Sequence, residues 1–369
     1  MCDLDGNRDS DADILIQSVP PKFRPIFERY GYDQEHKRSI YRYLFSRRPQ
    51  NLPPSIKNRL ISLYDPMADR SKKFRDGLRW CINVYVGCRH NCSYCYVNGY
   101  SQESVGIRPH SKRGFEAMLM KDIHALKSFG VPRAPVHLSN STDPCQEHLE
   151  LENRHTQFTL QKILENRSLF SSVILLTKNP QLLCDERHLG IICRSKMLPF
   201  TVQITCAFWR EDSRMFYEPH APSVDSRLQA LRVLAENGIE VELRIDPLFP
   251  SSRIDRSIRR HRALPSYSIP EAQTQDDLVN LIRFAGESGA KAIVAKTLKV
   301  PISKKAQRCK DCFAEIYRDA DPDRERHLEG GSWRLPQTYQ DALLSTVSDI
   351  CDQEGIPFRH CIQNVLSRK

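Results

Sequence analysis

The stretch Asn237-Gly-Ile-Glu-Val-Glu-Leu-Arg-Ile-Asp246 reads as the end of a helix followed by a strand. Asn-Gly closes helices because Gly readily enters the left-handed conformation in which the last carbonyls find donors. Beyond it, Val241, Leu243 and Ile245 fall on one side of an extended chain, and Glu242, Arg244 and Asp246 on the other. The same division recurs upstream. Val202, Ile204 and Cys206 oppose Thr201, Gln203 and Thr205, while Val136 and Leu138 oppose His137, Ser139 and Ser141. A parallel sheet with helices on both faces reads as continuously apolar instead. One apolar and one polar face therefore predict a curved sheet, with helices on its convex side and a polar ligand in its concave side.

Outward from this stretch, short runs rich in Val, Ile, Leu or Thr predict strands over 82–86, 135–139, 172–177, 201–206, 239–246 and 291–297. Helical spacing fills the gaps: Phe115, Met118, Leu119, Ile123 and Leu126; Phe158, Leu160, Ile163 and Leu164; Leu228, Leu231 and Leu234. Two more helices are expected, from Gln181 towards Lys196 and over 275–288. Parallel neighbours need crossovers of this length. A closed eight-stranded barrel packs its interior with branched apolar residues, which the polar face contradicts. The expected fold class is α/β, a partial (βα)6 TIM-like barrel over 76–300. It carries an N-terminal extension (1–75), with helices near 21–30 and 36–47, and a C-terminal extension (301–369). Leu343, Leu344, Val347 and Ile350 predict a terminal helix docking on the barrel.

At 369 residues, 40% hydrophobic, the chain can bury a large core. No apolar run approaches the roughly eighteen residues of a membrane span. The acidic, polar start from Met1 to Ala12 lacks an apolar signal region, which predicts a cytoplasmic protein. In that compartment the thirteen cysteines point to reduced thiols and metal ligation rather than bridges. The net charge of +10 favours approach to a polyanion. Arg256, Arg259, Arg260 and Arg262 read either as a phosphate-contacting patch or as a solvated face.

The chemistry sits in Asn83-Val-Tyr-Val-Gly-Cys88-Arg-His-Asn-Cys92-Ser-Tyr-Cys95-Tyr96, just past the first expected strand. Three thiolates at Cys-x3-Cys-x2-Cys spacing on one tight loop suit a four-iron cubane with one iron left without a protein ligand. A small molecule can chelate that iron. The alternatives are zinc held by the three thiolates with His90 or Cys81, a redox pair of Cys92 and Cys95, or buried structural thiols. A second Cys-x2-Cys, Cys309 and Cys312, reads as a zinc or auxiliary-cluster site with Cys351 or Cys361, a redox pair, or two reduced thiols opening a helix.

The cysteine triplet with Tyr94 resembles the signature of radical S-adenosylmethionine (SAM) enzymes. The resemblance extends, in order, through Thr142-Asp143-Pro144 with Glu147, Leu176-Thr177-Lys178, Glu218-Pro-His-Ala-Pro222, Arg227-Leu228, Asn237-Gly238-Ile239 and Asp246-Pro-Leu-Phe-Pro250. It looks like the spore photoproduct lyase-like branch, labelled "DNA repair photolyase", and covers about 80–297. It implies a 4Fe–4S cluster on Cys88, Cys92 and Cys95, S-adenosyl-L-methionine on the open iron, and an external electron donor. It further implies that SAM is split reductively to a 5′-deoxyadenosyl radical that abstracts hydrogen. Lys178 matches the family's Thr-Lys position and is expected at the methionine carboxylate, with the backbone near Tyr94 at the adenine. Ser141, Thr205 and Arg244, polar residues at strand ends, are further candidate SAM contacts. Glu218 is expected either to touch substrate or to cap the helix beginning near Ser223, and Asp143 either to make a contact or to shape the turn before Pro144.

One departure stands out. The true lyase carries a cysteine near the end of its second strand that returns a hydrogen atom to the product radical. Here Asn140 and Ser141 occupy that place, and Cys145 falls on the following loop. The expected function is radical SAM chemistry on a nucleic acid or other large substrate. The rivals are the same chemistry on a protein or small metabolite, and a metal-stabilised nucleic-acid-binding protein without catalysis.

Overall fold

The computed structural model describes residues 33–45, 59–63, 79–99, 108–194, 197–250, 270–301, 327–329, 332–335 and 337–360. The elements begin with helix α1 (Gln34–Phe45) and strands β1 (Ile61–Leu63), β2 (Trp80–Ile82), β3 (Tyr85–Val86) and β4 (His110–Ser111). Next come α2 (Phe115–Ser128), β5 (Ala134–Leu138), α3 (Glu147–Asn153), α4 (His155–Glu165), β6 (Phe170–Thr177), α5 (Glu186–Cys193) and β7 (Phe200–Thr205). Then follow α6 (Glu211–Tyr217), α7 (Val224–Glu236), β8 (Glu240–Leu248), α8 (Gln275–Glu287) and β9 (Ala292–Thr297). The chain continues through β10 (Val300–Pro301), β11 (His327–Glu329), β12 (Ser332–Arg334), α9 (Gln337–Gln353) and β13 (Phe358–His360).

Eight strands form one sheet in the order β1-β2-β5-β6-β7-β8-β9-β13. Strand β1 is antiparallel to β2, and all other neighbours are parallel. The order never reverses along the chain. Right-handed crossovers therefore lay every connecting helix on the same face, and the sheet curls into a partial barrel. The six expected strands correspond to β2 and β5 to β9. The first of them lies earlier than 82–86: the Asn83 side chain takes the Asn140 and Ser141 amides at 3.0 Å each, ending the ladder after Ile82. Tyr85–Val86 pairs separately with β4. The helix expected from Gln181 towards Lys196 is a 3-10 turn, Pro180–Cys184, followed by α5. Asp185 separates the two by accepting the His188 amide as N-cap.

The two faces differ as the alternation predicts. Leu138, Leu175, Val202, Ile204, Val241, Leu243 and Ile245 are buried in one core with Leu119, Leu160, Leu231 and Leu281. On the concave side the polar residues interlock. Arg244 donates to Asp246 at 2.6 Å and to Gln203 at 3.1 Å, Gln203 donates to Glu242 at 2.9 Å, and Arg359 of β13 closes the series on Glu242.

Both extensions join this sheet. Leu343, Val347 and Ile350 of α9 are buried, and β13 adds to β9. The helix expected over 36–47 is α1. At the other edge Asp122 of α2, fully buried, takes Arg59 at 2.9 Å and the amides of Leu60 and Ile61 at 2.7 and 3.1 Å. The expected helix over 21–30, the arginines at 256–262 and Cys309–Cys312 lie outside the described residues. Among the described residues no helix is long and apolar enough to cross a membrane.

Two outcomes follow from these buried charges. Asp122→Ala strands Arg59 and two backbone donors, so chemical denaturation should show a loss of about 3–5 kcal/mol. His188 lies between Glu150 at 3.2 Å and Asp185 at 2.8 Å. Burial disfavours its charge, but the hydrogen bonds to Glu150 and Asp185 outweigh it and raise its pKa above 6.5. The raised folded value means that its contribution is complete below pH 6.5 and disappears as pH climbs through that value. Denaturation at a series of pH values should therefore show a flatter decline above pH 6.5 in His188→Gln than in the parent protein.

Candidate active site

The cysteine loop leaves the carboxyl edge of the sheet through Gly87, whose φ is +70°. A Cβ there would stand 3.2 Å from the Pro109 backbone, so the position requires glycine. Asn91 also takes a left-handed conformation, at φ 47°. Between these turns the loop is held from two sides.

The first clamp comes from the segment after β5. The Gly87 carbonyl accepts from Thr142 and from Gln146 (3.1 Å), while Gln146 accepts the Arg89 amide at 2.9 Å. Asp143 takes His90 Nε2 at 3.0 Å, Thr177 Oγ1 at 2.8 Å and the amides of Cys145 and Lys178 at 2.8 and 2.7 Å. Burial opposes its charge, yet His90 and these hydrogen bonds hold its carboxyl below the usual range. Asp143 is thus more than a turn residue.

The second clamp is the segment after α6. Ser93 donates its amide and hydroxyl to the Tyr217 carbonyl at 2.9 and 3.2 Å, and the His220 amide reaches the His90 carbonyl at 3.4 Å. The Tyr94 ring enters an aromatic cluster with Phe249 (5.8 Å, edge-on) and Phe208 (6.4 Å), and its hydroxyl donates to Glu218. Glu218 also pairs with Lys178 at 2.9 Å and Arg227 at 2.5 Å. Burial opposes ionisation of Glu218, but Arg227 and Lys178 pull its pKa down to about 2. It does not cap α7; Ser223 does, accepting the Ser226 amide at 3.2 Å.

A cavity of about 190 Å³ opens between these segments at the carboxyl ends of the strands. Cys88, Cys92 and Cys95 line it together with Tyr94, Ser141, Lys178, Thr205 and Arg244. The three cysteines and the five candidate SAM contacts thus line one cavity. Several are already engaged: Ser141 through its amide to Asn83, Lys178 with Glu218, Arg244 with Asp246 and Gln203. Asn83, Gln146 and Arg227 were not singled out as site residues. Their only sequence signal is a polar residue in or beside a motif, with no hint of its distant partner.

The donor set fits a cluster held by three thiols. Burial is the first cause that pushes the Cys88 and Cys92 thiols up, so they ionise only where a cation accompanies them. Among the described residues no three Cys, His, Asp or Glu side chains converge on a single metal ion. In a cubane each thiolate binds a different iron. His90 offers no spare nitrogen for zinc, since Nε2 meets Asp143 and Nδ1 lies 3.4 Å from the His220 carbonyl. Cys81 does not line the cavity.

No family model matches the chain. An uncharacterized protein of Acidianus two-tailed virus is 26% identical over 218 residues, 56% of this chain and 67% of that protein. An uncharacterized protein of Methanocaldococcus jannaschii is 24% identical over 177 residues, 47% of this chain and 62% of that protein. The match thus spans less than two thirds of the archaeal relative. Among solved structures, spore photoproduct lyase complexed with dinucleoside spore photoproduct aligns with TM-score 0.54 over 90% of this chain and 86% of that one, at 13% identity. The chain has the fold of spore photoproduct lyase. A variant of that lyase with bound AdoMet and dinucleoside spore photoproduct aligns over the same shares, with TM-score 0.52 and 15% identity. In this chain the cysteine loop follows β2 and β3, and the cavity faces the strand ends.

Asp143→Ala removes the acceptor for the Cys145 and Lys178 amides. Hydrogen exchange at those two amides should accelerate by at least about tenfold, because hydrogen bonds to charged groups contribute about 1.5–3 kcal/mol each.

Proposed function

We propose that this protein is a radical SAM enzyme, with a 4Fe–4S cluster on Cys88, Cys92 and Cys95 and S-adenosyl-L-methionine in the adjoining cavity. The observation that carries the reading is that three thiols from one clamped loop line one cavity with Lys178, Thr205 and Arg244. Cluster and SAM together supply, on reduction by an external electron donor, a 5′-deoxyadenosyl radical that takes a hydrogen atom from substrate. The protein's own residues hold and shield that chemistry. The two clamps fix the loop, the Tyr94 ring closes the wall behind it, and Lys178 offers an ammonium to the carboxylate of methionine. Ser141, Thr205 and Arg244 supply polar contacts for the rest of the molecule. A cytoplasmic location suits the reduced thiols this reading needs.

The lyase's own reaction is not assigned to this chain. Where a thiol would return hydrogen, Asn140 instead presents a backbone carbonyl that accepts from Tyr96 at 2.7 Å. Cys145 is fully buried and does not line the cavity. The net charge of +10 supports a nucleic acid or another large anionic substrate over a neutral metabolite.

Anaerobic reconstitution with iron and sulfide, followed by dithionite and SAM, tests the reading. The parent protein should release 5′-deoxyadenosine, and Cys92→Ala should lose both the cluster absorbance and the product. A colourless zinc protein that leaves SAM intact, or a Cys92→Ala variant that still cleaves it, removes the proposal.

A further inference from the structure

Three charged groups drawn from separate parts of the chain meet behind the cysteine loop. Arg227 on α7 and Glu218 after α6 have fully buried side chains, whereas Lys178 at the end of β6 is 15% exposed and lines the cavity. Arg227 is further occupied by the carbonyls of Thr205 (3.1 Å) and Pro222 (2.9 Å), so it cannot turn towards the cavity. Within this trio two cations face one carboxylate, and Lys178 is the cation that borders the cavity, which Asp143 and Asp246 also line. This ammonium already has Glu218 at 2.9 Å and, bordering the cavity, can take an anionic group there as a second partner.

Its direction is fixed by Glu218. The same carboxylate receives the Tyr94 hydroxyl, and the ammonium lies 5.6 Å from the Tyr94 ring. Arg227 makes this geometry affordable, since a buried carboxylate facing only Lys178 and a phenol would be poorly compensated. We propose that Glu218, backed by Arg227, is a positioning residue: it aims Lys178 and Tyr94 at the cavity so that one fixed positive charge receives the carboxylate of the ligand. The inference rests on the radical SAM reading and adds to it a part that the sequence motif does not assign.

A charge-balanced double variant separates aim from charge. Glu218→Gln with Arg227→Met removes one charge of each sign, so the net charge beside the cavity is unchanged while Lys178 loses its anchor. Titration of SAM into the reduced, reconstituted protein, followed by electron paramagnetic resonance of the cluster, reads the affinity. The double variant should require at least about tenfold more SAM than the parent. Adding Lys178→Met to it should cost little more, because residues that act through one another are not additive. A double variant that binds SAM as the parent does overturns the inference. So does one whose cluster potential shifts while SAM affinity stays, because the charges then serve the iron rather than the ligand. If the double variant fails to fold, Glu218→Asp decides: it keeps the charge but withdraws the carboxylate by one methylene, and parent-like affinity there is equally fatal. A parent protein that carries no cluster, or ignores SAM, sinks the radical SAM reading instead.

Discussion

The cysteine loop cannot hold its own shape. It contains two left-handed residues, Gly87 and Asn91, and three thiols that must all point to one side. Two buried carboxylates supply the missing constraint. Asp143 gathers four donors from the loop, the segment after β5 and the end of β6; Glu218 gathers Tyr94, Lys178 and Arg227. Burying a carboxylate costs several kcal/mol unless it is paired; both Asp143 oxygens accept hydrogen bonds, and Glu218 faces two cations. The penalty becomes a source of specificity, because any displacement of the loop unpairs a charge. Lys178 joins the two clamps, giving its amide to Asp143 and its ammonium to Glu218.

The sheet makes this possible by keeping its two faces chemically apart. Branched side chains on the convex side pack against helices and fix the strands. The carboxyl ends of β5, β6 and β7 then deliver Asp143, Lys178 and Thr205 to neighbouring positions, although they are far apart in the chain. Because the winding never reverses, the loops that matter all emerge at one rim.

Much of this was legible in the sequence for a local reason. The alternation in Val241–Leu243–Ile245 against Glu242–Arg244–Asp246 needs only neighbouring residues to be seen, and so does the spacing of Cys88, Cys92 and Cys95. Cap residues such as Ser223 and Thr274 are equally local. The roles of Glu218 and Asp143 were not legible, because their partners are remote: Tyr94 lies 124 residues before Glu218, and His90 lies 53 before Asp143. An acidic residue beside a proline looks alike whether it shapes a turn or anchors a loop. The edge strands β1 and β13 were missed because three residues carry no period. The end of the first strand was misplaced because Asn83, within an apolar run, spends its side chain on ending the ladder.

The series Asp246, Arg244, Gln203, Glu242 and Arg359 ties β7, β8 and β13 together through side chains, in addition to their backbone ladders. Of its members Arg244 and Asp246 line the cavity, whereas Gln203, Glu242 and Arg359 do not. The cavity wall and the interior of the curved sheet are therefore one hydrogen-bonded network, and a substitution at the outer strand β13 is linked by side chains alone to a residue that borders the cavity.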